Sequence, residues 1–359
     1  MESEIRLMKG NEAMAHAMIR YGADGYFGYP ITPQSEILET LEAEMPWETT
    51  GMVVVQAESE VASINMVYAG AASGKAVCTS SSSPGMSLMQ EGVSYIAAAE
   101  LPALLINCMR GGPGLGTIQP SQADYFQATK GGGHGDYRLI TLAPSGVQEM
   151  CDFVALGWDL AFKYRTPAMI LADGTVGQMM EKVILPEPRK RRTQEEVIKQ
   201  GPWAVTGKKG RKRNVITTLE LKAQEMELIN NNLQAKYKAI EENEARFEAQ
   251  NTENCDFLIV AFGSMARICE KSMEIARKEG INVGLLRPIT LWPFPAKAIA
   301  EAAKTAKGIL VVELSAGQMI DDVKLAVNCK VDTRHYGRTG GMIPTPDEIL
   351  NVMKDMFIK

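Results

Sequence analysis

Short apolar runs alternate with segments of helical pattern along the first half of the chain, and turns rich in glycine, proline and serine separate them. The apolar runs predict strands at residues 25–29, 53–55, 76–79, 103–108, 139–142 and 167–171. Helical patterns fill the intervals at residues 8–21, 34–43, 61–70, 86–99 and 147–162. Alternation of short strands with helices is typical of parallel sheets, so the pattern predicts a doubly wound α/β domain.

The pattern changes after about residue 185, where charged residues dominate. One basic run with two prolines covers residues 186–192, and a second basic run covers residues 207–213. Residues 219–250 are polar, with leucines and isoleucines at helical spacing, which predicts a long exposed helix. Such runs contact RNA or acidic partners in some proteins, but a solvated connector is the preferred interpretation here.

A second α/β unit follows from Cys255. Strands are predicted at residues 256–261, 282–286 and 308–313, and helices at residues 263–278, 296–303, 318–327 and from Thr345 onward. The predicted fold class is therefore α/β, with two doubly wound parallel-sheet domains joined by a charged, partly helical linker. The predicted boundaries are 1–187 for the first domain, 188–253 for the linker and 254–359 for the second domain.

The composition is that of a globular protein and gives no indication of nucleic-acid binding or of a membrane span. The 359 residues are 45% hydrophobic and 23% charged, which is ordinary for a globular protein, and the net charge of -5 gives no indication of nucleic-acid binding. No apolar run approaches the length of about 18 residues that a membrane span needs, and the acidic N-terminus lacks the apolar region of a signal peptide. We therefore expect a cytoplasmic protein without membrane contact.

The cysteines and histidines give no metal-site pattern. The six cysteines include no CxxC pair, and the three histidines are scattered, so neither a zinc site nor an iron–sulfur cluster is predicted on this chain. Cys78, Cys108 and Cys255 lie in or beside apolar runs, which predicts buried thiols in a reducing compartment.

Four loops of the first domain follow predicted strands, at residues 29–32, 56–60, 80–85 and 110–116. Ligands of open parallel sheets bind beyond the carboxyl ends of the strands, where these loops meet. The loops carry a carboxylate at Glu60, an arginine at Arg110, hydroxyl groups and glycines. This set suits a small anionic substrate and a polar heterocycle, since arginine can bind a carboxylate through two hydrogen bonds.

Each of these residues also has an ordinary structural interpretation. Glu60 stands where a helix begins, so it is either a solvated acid of the first turn or a buried functional group, and Glu58 is its neighbouring competitor. Arg110 alone would more often make a surface ion pair. Thr32 can cap the next helix and bind a ligand at once. His134 is better interpreted as a loop histidine than as a catalytic residue.

Three motifs together resemble a known family. They are Tyr29-Pro30-Ile31-Thr32-Pro33, Ser59-Glu60 and Arg110-Gly111-Gly112-Pro113. The set resembles the α-type subunit of 2-oxoacid:ferredoxin oxidoreductases, most closely the branched-chain 2-oxoisovalerate type. Residues 8–185 resemble the pyrimidine-binding domain of thiamine diphosphate enzymes, and residues 254–359 resemble their transketolase C-terminal-like domain.

The resemblance implies a reaction and a role for each site residue. A 2-oxoacid is decarboxylated oxidatively to an acyl-CoA and CO2, with coenzyme A as co-substrate and electrons passed to ferredoxin. Glu60 would be catalytic and would hydrogen-bond N1′ of the thiamine aminopyrimidine. Thr32 and Arg110 would bind the substrate carboxylate. The cofactor-binding residues implied are Tyr29, Pro30, Glu60, Ser83 and Gly85.

The chain departs from thiamine enzymes in one important motif. The GDG sequence that holds the diphosphate through Mg2+ is absent, and Ala172-Asp173-Gly174 lacks its first glycine. The resemblance therefore implies a shared active site, with the diphosphate and Mg2+ on a β-type subunit and iron–sulfur clusters on a ferredoxin-like δ-type subunit. A γ-type subunit is also expected.

Three alternatives stay open at this point. The substrate could be 2-oxoglutarate or pyruvate, because the carboxylate contacts are common to all 2-oxoacids. The chain could be a scaffold subunit without a catalytic role. A free-standing nucleotide-binding protein is the third alternative, although neither G-x-G-x-x-G nor a P-loop motif occurs.

Overall fold

A seven-stranded sheet organises the first half of the chain in a computed structural model that describes residues 4–358. In spatial order its strands are β12 (Thr290–Trp292), β6 (Ile140–Leu142), β7 (Ala168–Asp173), β5 (Leu104–Met109), β4 (Val77–Ser81), β2 (Gly25–Gly28) and β3 (Val53–Gln56). All neighbours are parallel except β12 and β6, which are antiparallel. The predicted parallel α/β sheet is confirmed.

Helices connect these strands and cover the sheet. They are α1 (Gly10–Tyr21), α2 (Ser35–Glu44), α3 (Pro46–Thr49), α4 (Glu60–Ala72), α5 (Ser83–Ala98), α6 (Tyr125–Thr129), α7 (Val147–Tyr164) and α8 (Gly174–Gln178). Helix α1 packs against α7, and α4 packs against α5. Small residues allow the second pair to approach closely, since a Cβ atom on Gly92 would lie 2.6 Å from Ile64 Cγ2.

A five-stranded sheet organises the C-terminal part. In spatial order its strands are β14 (Thr333–Gly337), β13 (Gly308–Glu313), β10 (Phe257–Ala261), β11 (Val283–Pro288) and β9 (Phe247–Gln250). Its helices are α11 (Gly263–Lys278), α12 (Ala296–Ala302), α13 (Met319–Ala326) and α14 (Pro346–Phe357). Only β9 runs antiparallel to its neighbour. The second predicted α/β unit is confirmed, with a mixed sheet.

Two strands pair outside the segment in which the sequence places them. Strand β9 lies within the predicted linker but pairs with β11 of the second sheet. Strand β12 lies within the predicted second domain but pairs with β6 of the first sheet. The two sheets are therefore joined by strand pairing, while the division at residues 187 and 253 stays a prediction.

The linker is more ordered than a solvated connector. It contains α9 (Gln194–Gln200) and α10 (Ala223–Asn243), and α10 buries Leu233, Tyr237 and Ile240 against the protein. Lys236 on the same helix pairs with Glu100 at 2.9 Å. The prediction of helix as far as residue 250 is wrong, because α10 ends at Asn243 and β9 follows.

A separate two-stranded antiparallel sheet is present that the sequence pattern did not predict. Strand β1 (Ile5–Lys9) pairs with β8 (Met180–Ile184). The helix predicted from residue 8 therefore begins at Gly10, because Met8 and Lys9 belong to the strand. Exposed residues such as Leu7 and Ile184 alternate with charged ones in this pair, so neither segment has the apolar run of a buried strand.

Two local predictions are wrong and one is confirmed. The purely apolar run at residues 53–55 predicts a buried strand, but β3 is the edge strand, and Val53 is 46% exposed. Ser145, a good capping residue by type, is predicted to cap the helix near residue 147. The N-cap of α7 is instead Gly146, and Ser145 donates from N and Oγ to Glu149 at 2.8 and 3.1 Å. The expected burial of Cys78, Cys108 and Cys255 is confirmed.

Candidate active site

The four loops singled out in the sequence lie at one edge of the first sheet. They follow β2, β3, β4 and β5, which are adjacent in the spatial order β5-β4-β2-β3. Because these strands are parallel, their carboxyl ends lie side by side. The structure thus brings Thr32, Glu60, Ser83 and Arg110 to one side of the molecule, although they are distant in sequence.

Glu60 is a buried carboxylate without a partner. It begins α4 one residue after Ser59, whose Oγ caps the helix by accepting from Ala62 N at 3.2 Å. Its side chain is 7% exposed, and within residues 4–358 no hydrogen bond or ion pair reaches its carboxylate. Burying such a group unpaired costs free energy, and the helix N-terminus offsets only part of that cost. The carboxylate is therefore placed to bind something outside this chain.

Gly85 leaves open the space beside this carboxylate. A Cβ atom on residue 85 would lie 2.5 Å from Glu60 Oε1 and 2.2 Å from Ser81 Oγ. Three buried hydroxyl groups make no hydrogen bond within the described residues, those of Thr79, Ser81 and Ser82. An open space bordered by an unpaired carboxylate and the unpaired Ser81 hydroxyl fits a polar ring that both donates and accepts hydrogen bonds.

Glu58, the competitor of Glu60, is exposed on the same loop. Its Oε1 accepts a hydrogen bond from Ser59 Oγ at 2.8 Å. Glu58 therefore has both solvent and a protein partner, whereas Glu60 has neither.

The side chain of Gln34 fixes the Tyr29–Pro33 turn by hydrogen bonding. Gln34 Nε2 donates to the Tyr29 carbonyl at 3.1 Å, and Gln34 Oε1 accepts from Ser80 Oγ on β4. Tyr29 is half-buried and Pro30 is exposed. Gln34 is the N-cap residue of α2, and Thr32 does not make the side-chain cap that the sequence suggested.

Arg110 ties two of the loops together. Its Nη1 donates to the Thr32 carbonyl and its Nη2 to the Leu115 carbonyl, each at 3.0 Å. Its Nε is buried and has no partner within the described chain. A guanidinium carries five N–H donors, so donors remain for a ligand while the group is oriented by two carbonyls. Thr32 itself is exposed and takes part through its backbone.

Ser83 is held by a buried acid that the sequence analysis did not identify. Ser83 Oγ donates to Asp124 Oδ2 at 2.6 Å, and Asn107 Nδ2 donates to the same oxygen at 2.9 Å. Arg110 N in turn donates to Ser83 Oγ at 3.0 Å. Burial raises the pKa of Asp124, and the two donors only partly oppose this effect. Asn107, a polar residue inside an apolar strand, was the sequence signal for this network.

A cleft of roughly 520 Å³ opens beside these residues. The first sheet contributes Ser83, Arg110 and Asp124 to its walls, and the second part of the chain contributes the segments 314–318 and 339–340. Gln318 joins the two walls by donating from Nε2 to the Ala123 carbonyl at 2.6 Å. The cleft therefore lies between the carboxyl ends of strands from both sheets.

Asp173 belongs to the connection between the sheets. It is buried and accepts hydrogen bonds from Val176 N, Ser264 N and Gln122 Nε2 at 3.3, 2.8 and 3.3 Å. Its oxygens are thus used within the chain, and burial raises its pKa despite these donors. His134 is exposed on its loop and away from these contacts.

Residues 4–358 contain neither a cluster of metal-binding side chains nor a membrane-spanning helix. No group of three or more histidine, cysteine, aspartate or glutamate side chains there is arranged to hold a metal ion. No helix in that range is both long and apolar enough to cross a membrane.

Comparison with known families covers nearly the whole chain. Residues 16–251 match the thiamine diphosphate-binding model of pyruvate flavodoxin/ferredoxin oxidoreductases. Residues 255–349 match core domain II of pyruvate:ferredoxin oxidoreductase.

Curated relatives and solved structures agree with these matches. The chain is 47% identical over 354 residues to the ketoisovalerate oxidoreductase subunit VorB of Methanothermobacter marburgensis, covering 98% of this chain and 97% of that protein. It is 33% identical to the 2-oxoglutarate synthase subunit KorA of Archaeoglobus fulgidus, covering 98% and 99%.

Among solved structures, a 2-oxoglutarate:ferredoxin oxidoreductase from Magnetococcus marinus with 2-oxoglutarate, coenzyme A and succinyl-CoA bound superposes with a TM-score of 0.86 at 26% identity. The match covers 98% of this chain and 65% of that one. A split-gene transketolase shares the fold alone, with a TM-score of 0.59 at 12% identity. The family models and the full-length relatives identify this chain as a member of the 2-oxoacid:ferredoxin oxidoreductase family, as its sequence motifs predicted.

Proposed function

We propose that this chain is the α-type subunit of a thiamine diphosphate-dependent oxidoreductase that converts branched-chain 2-oxoacids to acyl-CoA and CO2, with ferredoxin as electron acceptor. One observation carries the proposal. The Glu60 carboxylate is buried, has no hydrogen-bond or ion-pair partner within residues 4–358, and borders the space that Gly85 leaves open. Such a group is expected where a cofactor ring completes the hydrogen bonding.

The residues around Glu60 fit the aminopyrimidine of thiamine diphosphate. When bound, that cofactor supplies the carbanion stabilisation that decarboxylation of a 2-oxoacid needs. Glu60 would hold a proton at the ring nitrogen N1′, and its position at the N-terminus of α4 keeps the carboxylate oriented. Gly85 would allow the ring to approach, while Tyr29, Pro30 and Ser83 would border it.

Arg110 and Thr32 would bind the carboxylate common to 2-oxoacids. The two carbonyl contacts of Arg110 fix the plane of its guanidinium, so its remaining donors are oriented before the substrate arrives. This orientation lowers the entropic cost of binding.

A branched aliphatic substrate agrees with the charge of the cleft. Among the described residues that line it, Arg110 is the sole cation. A 2-oxoglutarate side chain would require a second cationic partner for its distal carboxylate, which this chain does not supply there. The higher identity to ketoisovalerate oxidoreductase subunits, 47% against 33% for 2-oxoglutarate synthase subunits, supports the same choice. Pyruvate or 2-oxoglutarate is the alternative substrate.

The rest of the active site would come from other subunits. Asp173, in the place of the missing diphosphate motif, is fully engaged within the chain. We therefore assign the diphosphate, with its Mg2+, to a β-type subunit, and iron–sulfur clusters to a ferredoxin-like δ-type subunit beside a γ-type subunit. The exposed side of α4 carries Val61 and Met66, an apolar surface that a partner at the Glu60 end would cover. The complex would work in the cytoplasm.

The test is a panel of 2-oxoacids on the complex purified with its native subunits, supplied with thiamine diphosphate, Mg2+, coenzyme A and a low-potential acceptor. We expect the highest kcat/KM with 2-oxoisovalerate. Glu60→Gln should abolish turnover and leave assembly intact, whereas the neighbouring Glu58→Gln should retain both. Full turnover by Glu60→Gln would contradict the assignment, and a folded, cofactor-loaded complex without activity toward any 2-oxoacid would favour the scaffold alternative.

A further inference from the structure

The two basic runs of the linker differ in how the protein uses them. In the first run, Arg189 stacks on the Tyr21 ring at 4.8 Å and Arg192 on the Phe162 ring at 4.4 Å. Arg191 Nε binds the buried Asp24 Oδ1 at 2.8 Å. The first run therefore anchors the linker to the first domain.

The second run has almost no such contacts. Lys208, Lys209, Lys212 and Arg213 are exposed, and within residues 4–358 no hydrogen bond or ion pair involves their side chains. Only Arg211 is engaged, through bonds to carbonyls of its own turn, including that of Ala204 at 2.7 Å. Four uncompensated cations thus lie together on a chain whose net charge is -5.

An extended segment follows these cations with its apolar side outward. From residue 213 to residue 221 exposed and half-buried positions alternate. Val215, Leu219 and Leu221 point outward and are 65%, 72% and 87% exposed. Within the described chain, the backbone of residues 212–221 makes no backbone–backbone hydrogen bond. Leu219 N donates to Thr217 Oγ1 at 3.2 Å, and the other amides of the segment have no backbone acceptor. An extended segment of this kind with an apolar face is a template for pairing with another chain.

The chain just before this segment contacts α4, the helix that begins at Glu60. Val205 N donates to the Ala72 carbonyl at the end of α4, at 2.8 Å. Tyr68 of α4 lines a groove of roughly 650 Å³ together with Val215 and Ile216. The exposed apolar side of α4 therefore runs from the Glu60 end to the extended segment.

We propose that residues 207–221 form a docking arm for the subunit that completes the Glu60 site. The occupant is a protein surface with an acidic patch that pairs with Lys208, Lys209, Lys212 and Arg213 beside an apolar sheet edge that covers Leu219. This inference rests on the proposed function, because that function requires a partner at the Glu60 end of α4. Charge complementarity of this kind mainly increases the association rate and its sensitivity to salt.

The test uses the full chain in its native complex. The charge variant is K208E/K209E/K212E/R213E, and the apolar variant is V215S/L219S/L221S. The matched control is K182E/K199E/K238E/K330E, which reverses four exposed cations elsewhere. Dissociation of the β-type subunit is measured on diluted complex by mass photometry at about 50 and 300 mM salt, where screening differs strongly.

We expect both arm variants to raise the dissociation constant at least about tenfold. The charge variant should also lose most of its salt dependence, and the control should match the unaltered chain. Turnover per assembled complex should be unchanged, since the arm lies outside the site. If both arm variants assemble as tightly as the control, the arm is a solvated connector and the proposal fails.

Two further outcomes separate competing explanations. A charge variant that loses binding to a poly(U) RNA probe but keeps the subunit would replace the protein partner by a nucleic acid. The assembly measurement is independent of the catalytic assignment: a Glu60→Gln complex that still turns over would refute the proposed function, whereas an arm variant that dissociates would still support docking.

Discussion

Glu60 and Gly85 approach so closely that a single methyl group on residue 85 would lie 2.5 Å from Glu60 Oε1. The two residues come from the first turns of α4 and α5, which follow the parallel strands β3 and β4. The glycine therefore does not serve a turn conformation, because it lies within a helix. Its role is to leave the carboxylate in place with open space beside it.

Gly85→Ala should therefore displace the Glu60 carboxylate. The inserted methyl group would meet both Glu60 and Ser81, so the folded state should lose about 1–3 kcal/mol of stability. The apparent Kd for thiamine diphosphate in the assembled complex should rise together with a lower kcat. Thermal unfolding and cofactor titration of the purified complex measure the two effects separately.

Gly92→Ala is the matched control for this substitution. Its methyl group would meet Ile64 at 2.6 Å in the same α4–α5 contact, but two turns farther along the helix. We expect a comparable loss of stability without a change in cofactor affinity. Equal cofactor affinities in the two variants would show that the space at residue 85 serves packing alone.

The Asp124 network should make stability depend on pH. Burial raises the pKa of Asp124 above its usual 3.8, so in the window above 3.8 the folded state binds more protons than the unfolded state. The contribution of Asp124 to the free energy of unfolding is fully present below pH 3.8. It falls as the pH rises through the pKa that Asp124 has in the folded state. Asp124→Asn should remove this pH dependence, because an amide does not titrate. The fold should be retained, because the amide oxygen can still accept from Ser83 and Asn107.

Denaturant unfolding of the unaltered chain and of Asp124→Asn between about pH 4 and 7 measures this effect. Asp124→Ala is the contrasting variant, since it leaves the Ser83 hydroxyl and the Asn107 amide without their acceptor. It should destabilise the fold by about 1–3 kcal/mol. A pH profile of Asp124→Asn identical to that of the unaltered chain would exclude Asp124 as the titrating group.

The sequence predicted the sheet edge that the candidate residues share better than the contacts that each of them makes. Glu60 and Arg110 follow apolar strands, and the carboxyl ends of parallel strands lie at one edge of the sheet, so their location at the same edge follows from the alternating pattern. Gln34 and Asp124 could not be identified in the same way. Their contacts, with Ser80 and Ser83, join loops from different strands, and they depend on strand order and side-chain direction, which a single sequence does not encode locally.

The missed strands have a common physical cause. Strands β1, β9 and β14 lie at sheet edges or in a two-stranded pair, and most of their side chains are exposed or half-buried. Their sequences therefore lack the apolar runs by which buried strands are predicted. Strand β12 is buried but only three residues long, and its partner β6 lies far away in sequence.

Gln122 should be important for the position of the second sheet relative to the site. Its Nε2 donates to the Phe262 carbonyl at 2.9 Å and to Asp173, and its Oε1 accepts from Leu314 N at 3.1 Å. Gln122→Leu keeps the volume but leaves these buried groups unpaired, which should cost at least about 2 kcal/mol. Thermal unfolding of the chain measures the loss.

Gln119→Leu is the control in the same loop, since Gln119 is exposed and its side chain makes no hydrogen bond within residues 4–358. It should change stability by less than about 0.5 kcal/mol. Equal stabilities of the two variants would mean that the bonds of Gln122 do not hold the two sheets together.

Arg110→Lys should weaken the use of all 2-oxoacids to the same extent. A lysine cannot reach the Thr32 and Leu115 carbonyls while presenting planar donors to a carboxylate. Loss of one charge-assisted hydrogen bond, about 1.5–3 kcal/mol, corresponds to roughly a 10- to 150-fold fall in kcat/KM. Steady-state kinetics of the complex with 2-oxoisovalerate and pyruvate should give the same factor, because the carboxylate is common to both. A fall confined to one substrate would instead place Arg110 against the side chain, and the carboxylate assignment would be wrong.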